Sequence, residues 1–159
     1  MATEKLKFKL ELWAEYWDQK PTANILINDH SYFKNEITGT EKEPMVIEFE
    51  HELTEGEKYR LVIERSGKNT KQTVVDNGQI IKDQLLHIKS IEIDEIDIGA
   101  LVYEGMYTPA YPEPWATQQA QAGIALPESF KNVICIGHNG RWALSFESPF
   151  YMWLLENLY

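Results

Sequence analysis

The stretch "KLKFKLELWAEYW" (residues 5–17) alternates apolar side chains with mostly charged ones. One face of this segment collects Leu6, Phe8, Leu10, Leu12, Ala14 and Tyr16. The opposite face collects Lys5, Lys7, Lys9, Glu11 and Glu15, with Trp13 and Trp17 among the charges. Because successive side chains of a strand point to opposite faces, the pattern predicts a long β-strand that is buried on one side and solvated on the other.

Four further segments of the first hundred residues have strand-like patterns: "TANILIND" (22–29), "PMVIEFEHEL" (44–53), "KYRLVIERSG" (58–67) and "LLHIKSIEI" (85–93). In the second of these, Met45, Ile47 and Phe49 are predicted to point inward. Turn residues recur about every ten positions, a spacing typical of β-sandwiches. The sequence therefore predicts a mainly β protein, an antiparallel β-sandwich of the jelly-roll type, with residues 1–100 as the sandwich module.

Three residue pairs predict tight turns. Asn77-Gly78 and Asn139-Gly140 tolerate the positive φ angles of a type I′ hairpin turn. Asp94-Glu95 lies at the centre of "IEIDEIDI" (91–98), where a two-residue turn would pair Ile93 with Ile96. We therefore expect three hairpins, and the C-terminal one lies in "VICIGHNGRWALSF" (133–146).

Residues 101–159 have a different composition, with seven of the 40 charged side chains and 11 of the 19 aromatic ones. The prolines of "YTPAYPEPW" (107–115) favour stiff, extended backbone, which predicts a strap over residues 103–115. A short helix in "PEPWATQQAQAGIALP" is expected to end at Gly123. A terminal helix is expected in "SPFYMWLLENLY", with Ser148 as N-cap and Pro149 in the first helical position.

The shortage of charge in this segment predicts that residues 101–159 pack on the sandwich or on a neighbouring subunit. The residues predicted to form a subunit interface are Tyr107, Tyr111, Trp115, Trp142, Tyr151 and Trp153. Surface aromatic rings have a second use, since they stack on sugars. The candidates for that alternative are Trp13, Trp17 and Tyr32.

The net charge of −10 argues against a nucleic-acid partner and against an anionic membrane surface. The single cysteine, Cys135, lies in the apolar run "VICIG" and is predicted to be a buried, unreactive thiol. Neither a signal peptide nor an apolar run long enough to span a membrane is recognisable, so synthesis in the cytoplasm is expected.

No catalytic pattern stands out in the sequence. A G-x-S-x-G motif is lacking, and the histidines are widely separated, with His138 in "GHNG" the one candidate base. We therefore expect a non-enzymatic protein without a cofactor. A loop-type calcium site stays open as an alternative, and its candidate residues are Glu92, Asp94, Glu95 and Asp97. These acids do not fit the EF-hand pattern, so the sequence does not say which residues would bind the metal.

Residues from about 5 to 98 resemble a small carbohydrate-binding module of the calcium-dependent xylan-binding type. The resemblance lies in "ILINDHSYFKNEI", "EFEHELTEGEKYRLVIERSG" and "LHIKSIEIDEIDI". In "LTEGEKY", Lys58 occupies a position where that family has histidine, and "SGKNTKQ" lacks the acids of the family's ligand loop. The resemblance implies a two-sheet jelly roll and, as the alternative function, binding of host-surface glycans with calcium assistance.

Nearly the whole chain is similar to small proteins of marine tailed bacteriophages, particularly those that infect cyanobacteria. The segments that carry this resemblance are "YPEPWATQQAQAG", "IGHNGRWALSF" and "SPFYMWLLE". It implies a structural component of the virion, either a head decoration or a tail-associated protein, made in the host cytoplasm. Its implied partners are other virion proteins, and it implies no catalytic residue.

Overall fold

The computed structural model describes residues 2–69 and 71–158, and these form an antiparallel β-sandwich. Strands are numbered along the chain. Sheet A has the order β11 (Cys135–Ile136), β8 (Leu85–Ile93), β1 (Thr3–Glu15) and β4 (Met45–Thr54), with β9 (Ile96–Asp97) also paired to β8. Sheet B has the order β10 (Met106–Pro109), β12 (Gly140–Glu147), β5 (Lys58–Ser66), β2 (Thr22–Ile27) and β3 (His30–Glu36).

Three short helices and a separate ribbon complete the described fold. The ribbon pairs β6 (Val74–Asp76) with β7 (Gln79–Lys82). The helices are a 3-10 helix (Gly99–Glu104), α1 (Trp115–Gln121) and α2 (Phe150–Leu158). In the part of the chain that the structure describes, no helix is long and apolar enough to cross a bilayer.

The core lies between the two sheets, as the alternation in β1 predicts. Phe8 of sheet A and Phe146 of sheet B meet there with ring centroids 6.0 Å apart. The inward side chains Leu6, Leu10, Leu12 and Ala14 are also buried. Tyr16 was predicted on the same face, but β1 ends at Glu15 and the Tyr16 side chain is 43% exposed.

Two of the predicted hairpins are confirmed. Asn77 and Gly78 join β6 to β7 with φ angles of 51° and 76°, the positive values that a type I′ turn requires. Asp94 and Glu95 also have positive φ angles, and Ile93 pairs with Ile96 across that turn.

The predicted C-terminal hairpin does not form, because β11 pairs with β8 in sheet A whereas β12 pairs with β5 and β10 in sheet B. Asn139 has no positive φ angle, and its side chain bonds to Arg65 and to the backbone of Lys68. At Gly140, a Cβ atom would lie 2.5 Å from the carbonyl oxygen of Thr108. The Asn139-Gly140 pair therefore does not form a turn. Asn139 bonds to other segments of the chain, and Gly140 allows the backbone at Thr108 to approach closely.

The terminal helix begins at Phe150, and Ser148 is not its N-cap in the predicted manner. The hydroxyl of Ser148 donates to the carboxylate of Glu4 instead. The same carboxylate oxygen accepts the N–H of Phe150 at 2.9 Å. A residue from the start of β1 thus satisfies a free N–H group in the first turn of α2.

The strap lies on its own chain. Its strand β10 pairs with β12, which places Tyr107 opposite Trp142. Strands from residues 101–159 therefore complete both sheets, and β12 lies inside sheet B, between β5 and the edge strand β10. Residues 1–100 and residues 101–159 thus contribute strands to the same two sheets.

Candidate functional site

The six predicted interface residues occupy three different environments. Trp142 is fully buried, and Tyr107 is buried with its hydroxyl donating to the carbonyl oxygen of His138 at 2.6 Å. Both side chains belong to the core of this chain rather than to a free surface, because β10 and β12 are paired strands of sheet B. Trp153 is half-buried against Phe146, with ring centroids 6.3 Å apart.

The remaining predicted residue on α2, Tyr151, belongs to an apolar surface. The outer face of α2, as we call it, consists of Tyr151, Met152, Leu155 and Leu158, each between 45% and 61% exposed. The inner face of the helix contributes Phe150 and Leu154 to the core. Glu156 and Asn157 are the only polar residues of α2 within Phe150–Leu158. Because exposed apolar patches often mark interaction sites, the outer face of α2 is a candidate protein interface.

A hydrogen bond from the hydroxyl of Tyr151 to the carboxylate of Asp94 joins α2 to the turn between β8 and β9. This bond, and to a smaller extent burial and other nearby carboxylates, raise the pKa of Tyr151 to about 12. The phenol is a neutral donor at physiological pH with or without this shift, and its bond to Asp94 links the first turn of α2 to the β8–β9 turn.

Trp115 lines a second surface, the aromatic cleft, with a volume of about 490 Å³. Tyr111 does not line this cleft but packs beside Trp115, with ring centroids 5.9 Å apart. The strap supplies Pro112 and Trp115 to one wall, and the ribbon supplies Val75 and Ile80 to another. His138 faces Trp115, with ring centroids 6.0 Å apart and an interplanar angle of 24°. This volume is within the range of small-ligand sites.

The polar wall of the aromatic cleft includes Lys68, whose ammonium group lies 2.7 Å from the carboxylate of Asp83. Partial burial alone would raise the pKa of Asp83, but hydrogen bonds from Lys68, Thr73 and the backbone of Gln84 lower it below its ordinary value. Arg65 lies directly behind this wall and donates to the side-chain oxygen of Asn139 at 3.1 Å. Burial lowers the pKa of Arg65 to about 10, so the guanidinium stays charged near pH 7.

The structure does not bring the three predicted sugar-stacking residues together as one platform. Trp13 stacks on His87 with ring centroids 3.8 Å apart. Trp17 donates its indole N–H to the carbonyl oxygen of Gln72 at 2.8 Å, and Lys82 lies over its ring. Tyr32 is in the other sheet, on edge strand β3 of sheet B, where its ring stacks on Phe49.

Three of the four acids of the predicted calcium alternative have separate partners around the β8–β9 turn, and the partner of Asp94 is Tyr151. Glu92 lies 3.7 Å from the ammonium group of Lys9, and Asp97 accepts the N–H of Gly99 at 2.8 Å. Among the residues that the structure describes, no group of three or more His, Cys, Asp and Glu side chains has a metal-binding arrangement.

Cys135 was predicted to be buried, but its side chain is exposed. It lies on β11, the edge strand of sheet A, where the neighbouring Ile136 takes the inward position. Partial burial of the thiol, followed by the charges of Glu15 and Asp83, raises its pKa. The thiolate form is disfavoured, so exposure does not make this cysteine a strong nucleophile.

Lowering the pH from about 7 to about 5 is expected to destabilise the fold through His51. Burial, and then the nearby His30, lower the pKa of His51 below 6.5, and its ring bonds with the hydroxyl of Tyr32. The unfolded chain takes up this proton near pH 6.5, but the folded chain does so only at lower pH. The stabilising contribution of His51 is therefore complete above about pH 6.5, and it is lost as the pH falls toward the pKa of His51 in the folded chain.

Urea unfolding of the wild type and of His51→Gln at the two pH values measures this contribution. We expect the wild type to lose more unfolding free energy than the variant. An equal loss in both proteins would show that His51 is not responsible.

Comparisons of the chain with protein-family models, with curated proteins and with solved structures give no match.

Proposed function

We propose that the protein is a non-enzymatic structural component of a larger assembly and that it contacts other subunits through the outer face of α2. The observation that carries this proposal is the exposure of four apolar side chains on a helix whose opposite face is already in the core. Leaving such a face in water is unfavourable, by about 25 cal/mol for each Å² of apolar surface. A neighbouring subunit that covers this face removes the cost.

The assembly that we propose is the particle of a tailed bacteriophage, where the protein would be a head decoration or a tail-associated protein. This part of the proposal rests on the sequence resemblance to small proteins of marine tailed phages. The acidic composition favours contact with other virion proteins over contact with packaged nucleic acid, since the net charge is −10.

The proposal is tested by mass spectrometry of purified particles of a phage whose genome encodes this chain. We expect peptides of the protein to remain with intact particles after density-gradient purification and a high-salt wash. A soluble non-virion protein of the same phage is the control, and it should be depleted by the same steps. Depletion of both proteins to the same extent would rule out a structural role.

A glycan-binding role at Trp13, Trp17 and Tyr32 receives less support from the geometry. A flat sugar-binding platform needs neighbouring rings with free faces. The three rings do not form one platform, since Trp13 is on β1 of sheet A, Tyr32 is on edge strand β3 of sheet B, and Lys82 lies over the ring of Trp17.

A further inference from the structure

The aromatic cleft combines an apolar wall with unused hydrogen-bond donors. The indole of Trp115 is half-buried and faces the cleft together with Pro112. Lys68 has three N–H bonds, of which one points to Asp83 and one to the carbonyl oxygen of Gly137. Within the described residues, the side-chain N–H groups of Asn69 have no protein partner. The rim of the cleft can therefore donate to a ligand whose body lies on Trp115.

The charge around this cleft is opposite in sign to that of the protein as a whole. Two cations, Lys68 and Arg65, face a single close carboxylate, that of Asp83. Arg65 is almost completely buried, and no carboxylate of the described chain lies within ion-pairing distance of its guanidinium. In a chain with a net charge of −10, this is a local site of positive potential.

The state of His138 agrees with a positive potential in the cleft. Burial is the main cause that lowers the pKa of its ring, and the charges of Lys68 and Arg65 lower it further against the opposing effect of Asp83. The imidazole is therefore neutral near pH 7, so it can accept or donate one hydrogen bond without repelling a cationic wall.

We propose that the aromatic cleft binds an acidic saccharide, with the apolar face of the sugar ring on Trp115 and its carboxylate or sulfate group toward Lys68. A pyranose ring has the required combination of an apolar C–H face and a polar edge. A neutral sugar would leave the positive potential unused, and an apolar peptide side chain would leave the donors of Lys68 and Asn69 without acceptors. This proposal does not depend on the outer face of α2.

The test is a glycan array that contains uronate and sulfated oligosaccharides beside neutral oligosaccharides of matched length, followed by isothermal titration with the best binder. We expect binding to acidic oligosaccharides, with an affinity that falls as the salt concentration rises. Trp115→Ala should weaken that binding about tenfold, which corresponds to about 1.4 kcal/mol, because it removes the ring on which the sugar stacks. Tyr16→Ala is the matched control, because it removes an exposed ring outside the cleft.

Each outcome decides a separate part of the proposal. Equal binding of acidic and neutral oligosaccharides, without salt dependence, would overturn the acidic class. Equal weakening by Trp115→Ala and Tyr16→Ala would overturn the location. Absence of binding across the array would overturn the saccharide itself, while leaving the particle proposal untouched.

Discussion

A fragment of residues 1–100 is expected to be unfolded in water, although its composition is that of an independent domain. The fragment lacks β12, which pairs along the whole length of β5, and β11, which pairs with β8. It also lacks eight core side chains, namely Leu101, Tyr107, Ile136, Trp142, Leu144, Phe146, Phe150 and Leu154. Burial of each contributes about 2 kcal/mol, so their combined loss is comparable with the whole stability of a domain, about 5–15 kcal/mol.

Circular dichroism and a proton–nitrogen NMR spectrum of the fragment measure this effect, with the full-length chain as the control. We expect no cooperative thermal transition and poorly dispersed amide resonances from the fragment. A dispersed spectrum with a sharp transition would mean that residues 1–100 form the sandwich without β12.

Gly105→Ala is expected to destabilise the protein by about 3 kcal/mol, through a clash with Trp142. A Cβ atom at residue 105 would lie only 2.2 Å from Cε2 and 2.3 Å from Cζ2 of that indole. Trp142 is fully buried and cannot turn away without opening the core. The backbone angles of Gly105, φ −61° and ψ 138°, are allowed for alanine, so the effect is steric and not conformational.

Thermal and urea unfolding measure this change, which corresponds to a fall in Tm of about 10 °C for a chain of this length. Gly137→Ala is the matched control, since a Cβ atom there would meet its closest neighbour, a methyl group of Leu85, at an ordinary 3.6 Å. We expect the control to unfold like the wild type. Similar Tm values for the two variants would contradict the close packing of Gly105 on Trp142.

Most strands could be predicted because their information is local. The alternation of apolar and polar residues in residues 5–17 predicts which side chains of β1 point into the core. The turn at Asn77-Gly78 depends only on the backbone angles of these two residues. The same dipeptide at Asn139-Gly140 was misleading, because Asn139 is held by Arg65 and Lys68, which lie about seventy residues away. Such a contact leaves no periodic signal in the sequence.

The candidate sites were predictable only in part for the same reason. Aromatic composition pointed to residues 101–159, but it could not distinguish Trp142, which enters the core, from Tyr151, which stays exposed. The aromatic cleft was missed because its walls come from four separate segments, represented by Lys68, Ile80, Trp115 and His138. In the sequence, "SGKNTKQ" has the place of a calcium loop without its acids and His138 is a candidate base, and neither interpretation predicts that Lys68 and His138 lie beside the strap.

The most direct test of a structural role through α2 is a competition for incorporation into phage particles. Wild-type protein and a Met152→Glu/Leu155→Glu variant would be supplied together, and their ratio in purified particles and in the lysate measured by quantitative mass spectrometry. Both altered side chains are about 60% exposed, so the variant should remain folded, and Ile81→Glu is the control at an exposed apolar position elsewhere. We predict that the α2 variant is depleted at least about tenfold in particles, as expected for an interface that loses about 1.4 kcal/mol or more, whereas the control is not. Equal incorporation of all three proteins would contradict the account.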